Sequence, residues 1–444
     1  MHRQIEAQLR LAIRNGALRP GTLLPSSRML AQQLGVSRGV VVEAYGQLVA
    51  EGYLHASARV APRVADGSSA GATGAMSPPV TLAPAPRFNL NPGVPALDAF
   101  PREAWAAAVR RVLRDTPDSD LGYPAPEGHP HLRAALADYL ARVRGADESA
   151  ERLVITQGAT QALSLACQAL RARGVDRIAL EDPSHRDERE IVIRAGLTII
   201  PIPVDDRGLD VEALADSDAQ AVLLTPAHQF PTGVLLSPER RADLLRWLDD
   251  DHRFVIEDDY DAEFRYAGNP VGAVQGLRPE QVMYTSSVSK SLIPGLRIGW
   301  LLLPSRLVAE TAERKRYLDL GSPTLDQLAL SELIVRGEFD RHVRRLRARY
   351  RRQQAALVGA LRQHFPSGTI LGIPAGLHLA IEADEWPEDR LRRASLDASI
   401  AIGCVSDHLI AARRPPTLLL GFALHTEAVL RDAVKKLAEV AARL

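Results

Sequence analysis

Hydrophobic residues recur along this chain with two different periods, and the change between them divides it. Near the start, Ile5, Leu9 and Ile13 repeat at four-residue steps before Gly16, the spacing of one helical face followed by a glycine stop. SSRMLAQQLG, residues 26–35, reads as a second short helix closed by a tight turn at Gly35. SRGVVVEAYGQLVAEG comes next, with Val41, Ala44, Tyr45 and Leu48 at i, i+3, i+4 and i+7, the buried stripe of a third helix. The hydroxyls of Ser27 and Ser37 are placed to cap the second and third helices. An apolar strand start at Tyr53 and Leu54 and a basic stretch ending near Arg63 complete the pattern of a winged helix-turn-helix.

In the body the period shortens. TQALSLACQALRARG keeps helical spacing, but DRIALED, LTIIPIPVD, QAVLLTP, RFVIEDD, QVMYTSS and RIGWLLLP are short apolar runs suited to buried strands. Strands alternating with helical stretches predict a mostly parallel sheet covered by helices. The long stretch FDRHVRRLRARYRRQQAALVGALRQHF predicts one extended helix leading to a smaller α/β subdomain. Its seven arginines between 341 and 352 read as a solvated face, because Tyr350 alone interleaves them.

Composition changes this picture at one point. Residues 66–86, DGSSAGATGAMSPPVTLAPAP, hold almost nothing able to build a core and read as a linker able to span roughly 70 Å if extended. The expected organisation is therefore a head at 1–65, a linker at 66–86 and a body at 87–444. The 444-residue chain carries no formal net charge, but its head holds eight arginines against three glutamates. A charge of +5 confined to the head points to an anionic partner for it, and with the winged pattern that partner is double-stranded DNA. Cys167 and Cys404 cannot form a disulfide framework. With no run of about 18 apolar residues and no cleavable leader in MHRQIEAQLRLAIRNG, the expectation is a cytoplasmic protein without a membrane segment.

Lysine is scarce. Of 54 basic residues only Lys290, Lys315, Lys435 and Lys436 are lysines, and Lys290 alone lies outside a charged helical stretch, in SVSKSLIPGLRIGW. Its amine reads either as a phosphate clamp or as a Schiff-base nucleophile. Arginine could serve the first use and not the second, so the composition favours a nucleophile. Ser287, Ser289 and Arg297 nearby suit a phosphate. Gly158-Ala159-Thr160 opens a helix directly after the strand LVIT, where backbone N–H groups and the helix dipole favour an anion. In VIEDDYDAEF, acids follow an apolar strand, at the edge where open α/β sheets place ligands. Such acids bind metal, act as bases or form salt bridges; without clustered His or Cys, metal is the poorer choice, and no metal site is expected. Asp258 could hold a pyridine nitrogen and Tyr260, two residues on, its phenolic oxygen. Aldehyde trap, phosphate cradle and pyridine partner together describe pyridoxal 5'-phosphate (PLP).

Two resemblances bear on these readings. LRPGTLLPSSRMLAQQLGVSRGVVVEAYGQLVAEGYL is similar to the GntR-type head, which implies that Arg28, Ser37 and Arg38 meet phosphates or base edges; Gly39-Val40 and a wing without a Gly-rich tip depart from that pattern. From NPGVPALDAFPREAW through LGYPAPEGHPHLR, QGATQAL, TPAHQFPTG, EDDYDAEF and SVSKSLIPGLRIGW to GLHL, the body resembles the fold-type I aminotransferases. TPAHQFPTG and EDDYDAEFRY are particularly similar to the MocR family, in which a GntR-type head is joined to an aminotransferase-like body. The resemblance implies the PLP-dependent aminotransferase fold type I for the body, with an N-terminal winged helix-turn-helix. It implies that Lys290 joins the cofactor, Asp258 meets its ring nitrogen, Tyr260 its ring oxygen, and Ala159, Thr160, Ser287 and Arg297 its phosphate. Tyr123 would reach the phosphate of the neighbouring subunit in a head-to-tail homodimer, and His185 stands where an aromatic stacks on the ring. The family's substrate-carboxylate arginine is replaced by Leu419 in TLLLGFA, with Arg413 or Arg414 as local substitutes. The implied function is an operator-binding transcriptional regulator that senses PLP or an amine, with control of PLP synthesis among the family's roles. The alternatives are a working aminotransferase with a DNA-binding head and a cofactor-free dimerisation platform.

Overall fold

The computed structural model describes residues 1–56, 60–66, 85–268, 271–383 and 386–444. Most of the expected linker, residues 67–84, and Arg59 of the expected wing lie outside the described residues. The chain forms two compact units, Met1–Pro84 and Ala85–Leu444.

In the first unit, helices α1 (His2–Arg14), α2 (Ser27–Leu34) and α3 (Arg38–Ala50) are followed by strands β1 (Leu54–His55) and β2 (Arg63–Val64), paired antiparallel. Ile13, Val41, Ala44, Leu48, Leu54 and Val64 are buried; removing a large aliphatic side chain of this kind from water stabilises by about 1.5–3 kcal/mol, and together they hold three short helices that would be marginal alone. Gly35 ends α2 with φ +66°, and the Val36 N–H donates to the Ala31 carbonyl, a helix-ending turn that favours glycine. The capping expectation is corrected by one residue. Ser26, not Ser27, accepts the Met29 N–H at 3.3 Å; Ser27 lies inside the helix and its hydroxyl accepts from Arg38 Nε at 3.4 Å. Ser37 begins α3 without a side-chain capping bond.

The second unit starts with β3 (Phe88–Leu90) and builds an eight-stranded sheet from β4 (Leu153–Thr156), β5 (Arg177–Asp182), β6 (Thr198–Asp205), β7 (Gly208–Leu209), β8 (Ala221–Leu224), β9 (Phe254–Asp258), β10 (Val282–Ser287) and β11 (Gly299–Leu302). The order is β4-β11-β10-β9-β8-β5-β6-β7. The central pairs are parallel, and β11 and β7 run against their neighbours. Strands β4 and β8 are buried along their whole length, as a sheet covered on both faces requires. The smaller sheet adds β12 (Thr369–Leu371), β13 (His378–Glu382), β14 (Ile400–Cys404) and β15 (Thr417–Gly421) in the order β12-β13-β15-β14-β3.

Three helices of this unit carry residues singled out in the sequence: α4 (Ala159–Ala172), α5 (Arg186–Arg194), which begins directly after His185, and α6 (Glu338–His364). The arginine-rich face of α6 is tied to its own fold. Arg349 pairs with Asp98, Arg352 pairs with Glu427, and Arg347 donates to the Glu263 carbonyl. Both cysteines are buried and free.

Parallel pairing decides where the chemistry gathers. Asp258 at the end of β9 is in register with Thr285 of β10, Ser287 of β10 faces Gly299 of β11, and Gly299 faces Thr156 at the end of β4. The carboxyl ends of β4, β9 and β10 therefore open on one edge of the sheet.

Candidate functional site

A cavity of about 310 Å³ lies at that edge. Of the residues singled out in the sequence, it brings together Lys290, Asp258, Tyr260, Ala159, Thr160, Ser287, Arg297 and His185. Tyr123 does not line it; that side chain is 94% exposed. Arg28, Ser37 and Arg38 belong to the head, where all three are exposed at the N-terminal ends of α2 and α3. Other head arginines are engaged internally: Arg10 pairs with Glu51 at 2.7 Å, and Arg14 Nε donates to the Tyr53 hydroxyl at 2.8 Å.

The anionic end of the cavity is built around Gly158, which has φ +81° and precedes α4. Arg297, itself at φ +51°, reaches across and donates from Nη2 to the Gln157 carbonyl at 2.9 Å. A Cβ on residue 158 would stand 2.7 Å from that nitrogen, so only glycine lets the guanidinium lie against the helix start. The first N–H groups of α4, the Ser287 and Ser289 hydroxyls and Arg297 thus converge. Lys290 Nζ donates to the Gly93 carbonyl at 2.6 Å. Burial holds this amine below the ordinary lysine range, against the opposing pull of Asp261 and Asp258.

The three consecutive acids at the end of β9 have separate fates, because side chains alternate along a strand. Glu257 accepts the backbone N–H groups of Val274 and Gln275, each at 3.0 Å. Asp259 accepts from Arg144 Nε and from the Tyr284 hydroxyl, each at 2.6 Å. Only Asp258 lines the cavity. Its Oδ1 is buried without a partner among the described residues, and burial pushes its carboxyl up to about 7. The Tyr260 hydroxyl lies 3.0 Å from His228 Nδ1, which also meets Asp261 at 3.0 Å; burial raises the phenol well above its usual range.

His185 precedes α5 and its Nδ1 accepts the Asp187 N–H at 3.2 Å, which fixes the ring. Phe230 and His408 lie 5.1 and 5.9 Å away between ring centres. Burial lowers His185 and takes His408 down to about 4, so both rings present neutral imidazole near pH 7.

Leu419 is fully buried with Ala380 and Val405, in the apolar heart of the smaller sheet. Neither local substitute replaces the missing arginine. Arg414 Nη2 donates to the Val204 carbonyl, Arg413 is exposed, and neither lines the cavity. Among the described residues, Arg297 is the cavity's single arginine.

Lining residues that escaped the sequence reading include Gly93, Glu188, Thr285 and His408. Gly93 and His408 come from the loops after β3 and β14, and nothing in their local pattern marks them. Glu188 carried a weak signal, one helical step from His185 in the first turn of α5. Among the described residues, no helix is long and apolar enough to cross a membrane.

Comparison with known proteins agrees with this geometry. Residues 86–437 match the family Aminotransferase class I and II, and residues 1–64 match Bacterial regulatory proteins, gntR family. The chain is 31% identical to the probable rhizopine catabolism regulatory protein MocR of Rhizobium meliloti, over 98% of this chain and 93% of that one. It is also 31% identical to the HTH-type pyridoxine biosynthesis transcriptional regulator PdxR of Corynebacterium glutamicum, over 98% and 95%. Among solved structures, the α-aminoadipate aminotransferase LysN of Thermus thermophilus, complexed with N-(5'-phosphopyridoxyl)-L-leucine, superposes with a TM-score of 0.72 at 26% identity, covering 80% of this chain and 92% of LysN.

Proposed function

The chain belongs to the MocR type of GntR-family regulators, which join a helix-turn-helix head to an aminotransferase-like body, and from that premise we propose that it is a DNA-binding transcriptional regulator whose body binds PLP through Lys290 and takes PLP, or an amine meeting it there, as its signal. The observation that carries the reading is the single cavity holding an amine, a carboxylate with a buried unpartnered oxygen, and a glycine-shaped anion cradle.

That donor set fits the cofactor. Bound there, PLP supplies an aldehyde and an electron-withdrawing pyridine ring. Arg297, Ser287 and the N-terminus of α4 at Ala159 and Thr160 hold the phosphate. Asp258 takes the ring nitrogen, Tyr260 the ring oxygen, and His185 stacks on the ring face. Lys290, whose burial favours the uncharged amine, is the nucleophile that meets the aldehyde. Tyr123, exposed on one protomer, serves the partner's phosphate in a head-to-tail homodimer.

Sensing rather than turnover is supported by Leu419. An α-amino acid needs a cation for its carboxylate, and among the described residues this cavity has no guanidinium beyond Arg297. The similarity to PdxR, a pyridoxine biosynthesis transcriptional regulator, supports genes of pyridoxine synthesis as the target. In the head, Arg28, Ser37 and Arg38 contact the operator. A ligand shifts the heads only by binding one state of the body better than another; a coupling of ~1–3 kcal/mol changes DNA affinity about 5- to 150-fold.

The test is to titrate PLP into the full-length protein while recording visible absorbance, borohydride trapping on residue 290, and affinity for the DNA upstream of its own gene. The expected result is covalent trapping in the wild type, none in Lys290→Ala, and unliganded DNA affinity of the variant within about tenfold of wild type. A protein that stays colourless with PLP refutes the reading. Keto-acid release in single turnover with a panel of amines would instead establish a working aminotransferase.

A further inference from the structure

Lys315 stands in the charged stretch ERKRYLD of the helix Val308–Asp319, yet its side chain is fully buried. A buried ammonium persists only with a partner. That partner is Asp319, one helical turn on, whose Oδ1 accepts from Lys315 Nζ at 3.1 Å and from the Gly321 N–H at 2.8 Å. The other oxygen, Oδ2, faces the start of α4 and accepts from Gln161 Nε2 at 2.8 Å and from Gln157 Nε2 at 3.3 Å. Burial pushes this carboxyl up, but the bonds from Gln161, Gly321 and Lys315 outweigh it and hold the group below its usual range. An ionised carboxylate can only accept, so it fixes which way the Gln161 amide lies. The amide nitrogen must face Asp319, and the amide oxygen then points to the Gln157 backbone N–H, which it accepts at 2.8 Å. Gln157 precedes Gly158, and its carbonyl is the acceptor for Arg297 Nη2 at 2.9 Å. Asp319 does not itself line the cavity.

We propose that Asp319 is a positioning residue for the anion cradle: by fixing the Gln161 amide it holds the Gln157 peptide, and through it Arg297 and the start of α4, ready for a phosphate. The inference rests on PLP occupying this cavity, and it deepens that reading by assigning part of the phosphate affinity to a residue outside the cavity. Asp319→Asn isolates the effect. Lys315 and the Gly321 N–H only donate, so the asparagine oxygen stays with them and its NH2 group takes the place of Oδ2. There it meets the amide nitrogens of Gln161 and Gln157, donor against donor. The Gln161 amide must turn over to relieve this, which brings its own NH2 group onto the Gln157 N–H and loosens the peptide that aims Arg297.

The experiment is a paired titration of the full-length wild type and Asp319→Asn with PLP and with pyridoxal, which lacks the phosphate, read by absorbance and by borohydride trapping on residue 290. Asp319→Asn is expected to bind PLP about tenfold more weakly, the lower end of what one hydrogen bond to a charged group contributes, and to bind pyridoxal within about threefold of wild type. Should it misfold by circular dichroism, Gln161→Met, which leaves the Lys315–Asp319 pair in place, carries the same expectation. The two substitutions break one chain of bonds, so the double variant is expected to lose little beyond the weaker single variant. If the wild type binds PLP and the variants bind it equally well, the positioning role is refuted while the cofactor reading stands. Equal losses for PLP and pyridoxal also refute it, because the damage would then be general and not confined to the cradle. Losses that multiply in the double variant refute the path through Gln161. If no form binds PLP, the inference and the cofactor reading fall together.

Discussion

Gly158→Ala separates cofactor affinity from fold stability in a way the geometry makes quantitative. Residue 158 sits at φ +81°, and the new Cβ would stand 2.7 Å from Arg297 Nη2, 2.9 Å from Cζ and 3.0 Å from Nη1. With φ +81° and ψ 174°, a region essentially restricted to glycine, the backbone strains alanine by about 1–3 kcal/mol, a cost present with and without ligand. The clash falls on the far end of a flexible side chain, so Arg297 can move, giving up its 2.9 Å bond to the Gln157 carbonyl. Moving it withdraws one charge-assisted bond from the phosphate, about 1.5–3 kcal/mol, which is roughly 10- to 150-fold in affinity. Stability is therefore expected to fall by about 1–3 kcal/mol in chemical denaturation without ligand, and PLP affinity by one to two orders of magnitude in titration. The diagnostic is the difference between the two. A variant that binds PLP within threefold of wild type would show that Arg297 and the start of α4 do not hold the phosphate.

Separate features carry three other expected outcomes. Arg144→Ala leaves Asp259 buried beside Tyr284 without its cation; the pair is 2.6 Å apart and nearly inaccessible, so denaturation is expected to show a loss of about 3–5 kcal/mol. Arg38→Ala, at the exposed start of α3, is expected to weaken operator binding and to reduce the slope of log affinity against log salt by about one if the contact is to phosphate; an unchanged slope excludes that contact. Burial takes His378 down to about 3 from an ordinary 6.5. Below pH 6.5 the unfolded chain binds a proton there that the folded chain refuses, so stability falls with pH between about 6.5 and 3, by up to about 1.4 kcal/mol per unit from this group. Denaturation across that range should be shallower for His378→Phe, and identical slopes would reject the assignment.

Local pattern carried much of this protein. The stripes Ile5, Leu9, Ile13 and Val41, Ala44, Tyr45, Leu48 marked helices because burial along a helix repeats every 3.6 residues, and the apolar runs from Arg177 to Leu302 marked sheet strands because a doubly covered strand has no polar face. Lysine scarcity singled out Lys290 through chemistry that arginine cannot perform. The cap at Ser26 was missed by one residue, since two adjacent serines are equivalent on paper and only the chain's entry angle chooses between them.

Tertiary structure decided what depends on contacts between distant segments. Alternation along β9 could separate Asp258 from its neighbours, but Arg144 and the loop at Val274 had to arrive before Asp259 and Glu257 were known to be taken. The seat of Leu419 in an apolar cluster depends on its register with Ala380. Glu188 and Asp258, from a helix and a strand far apart in sequence, line the same cavity. Periodicity reports how a residue faces its own element; which charges meet across a cavity is set by how the elements stack, and that information is not local.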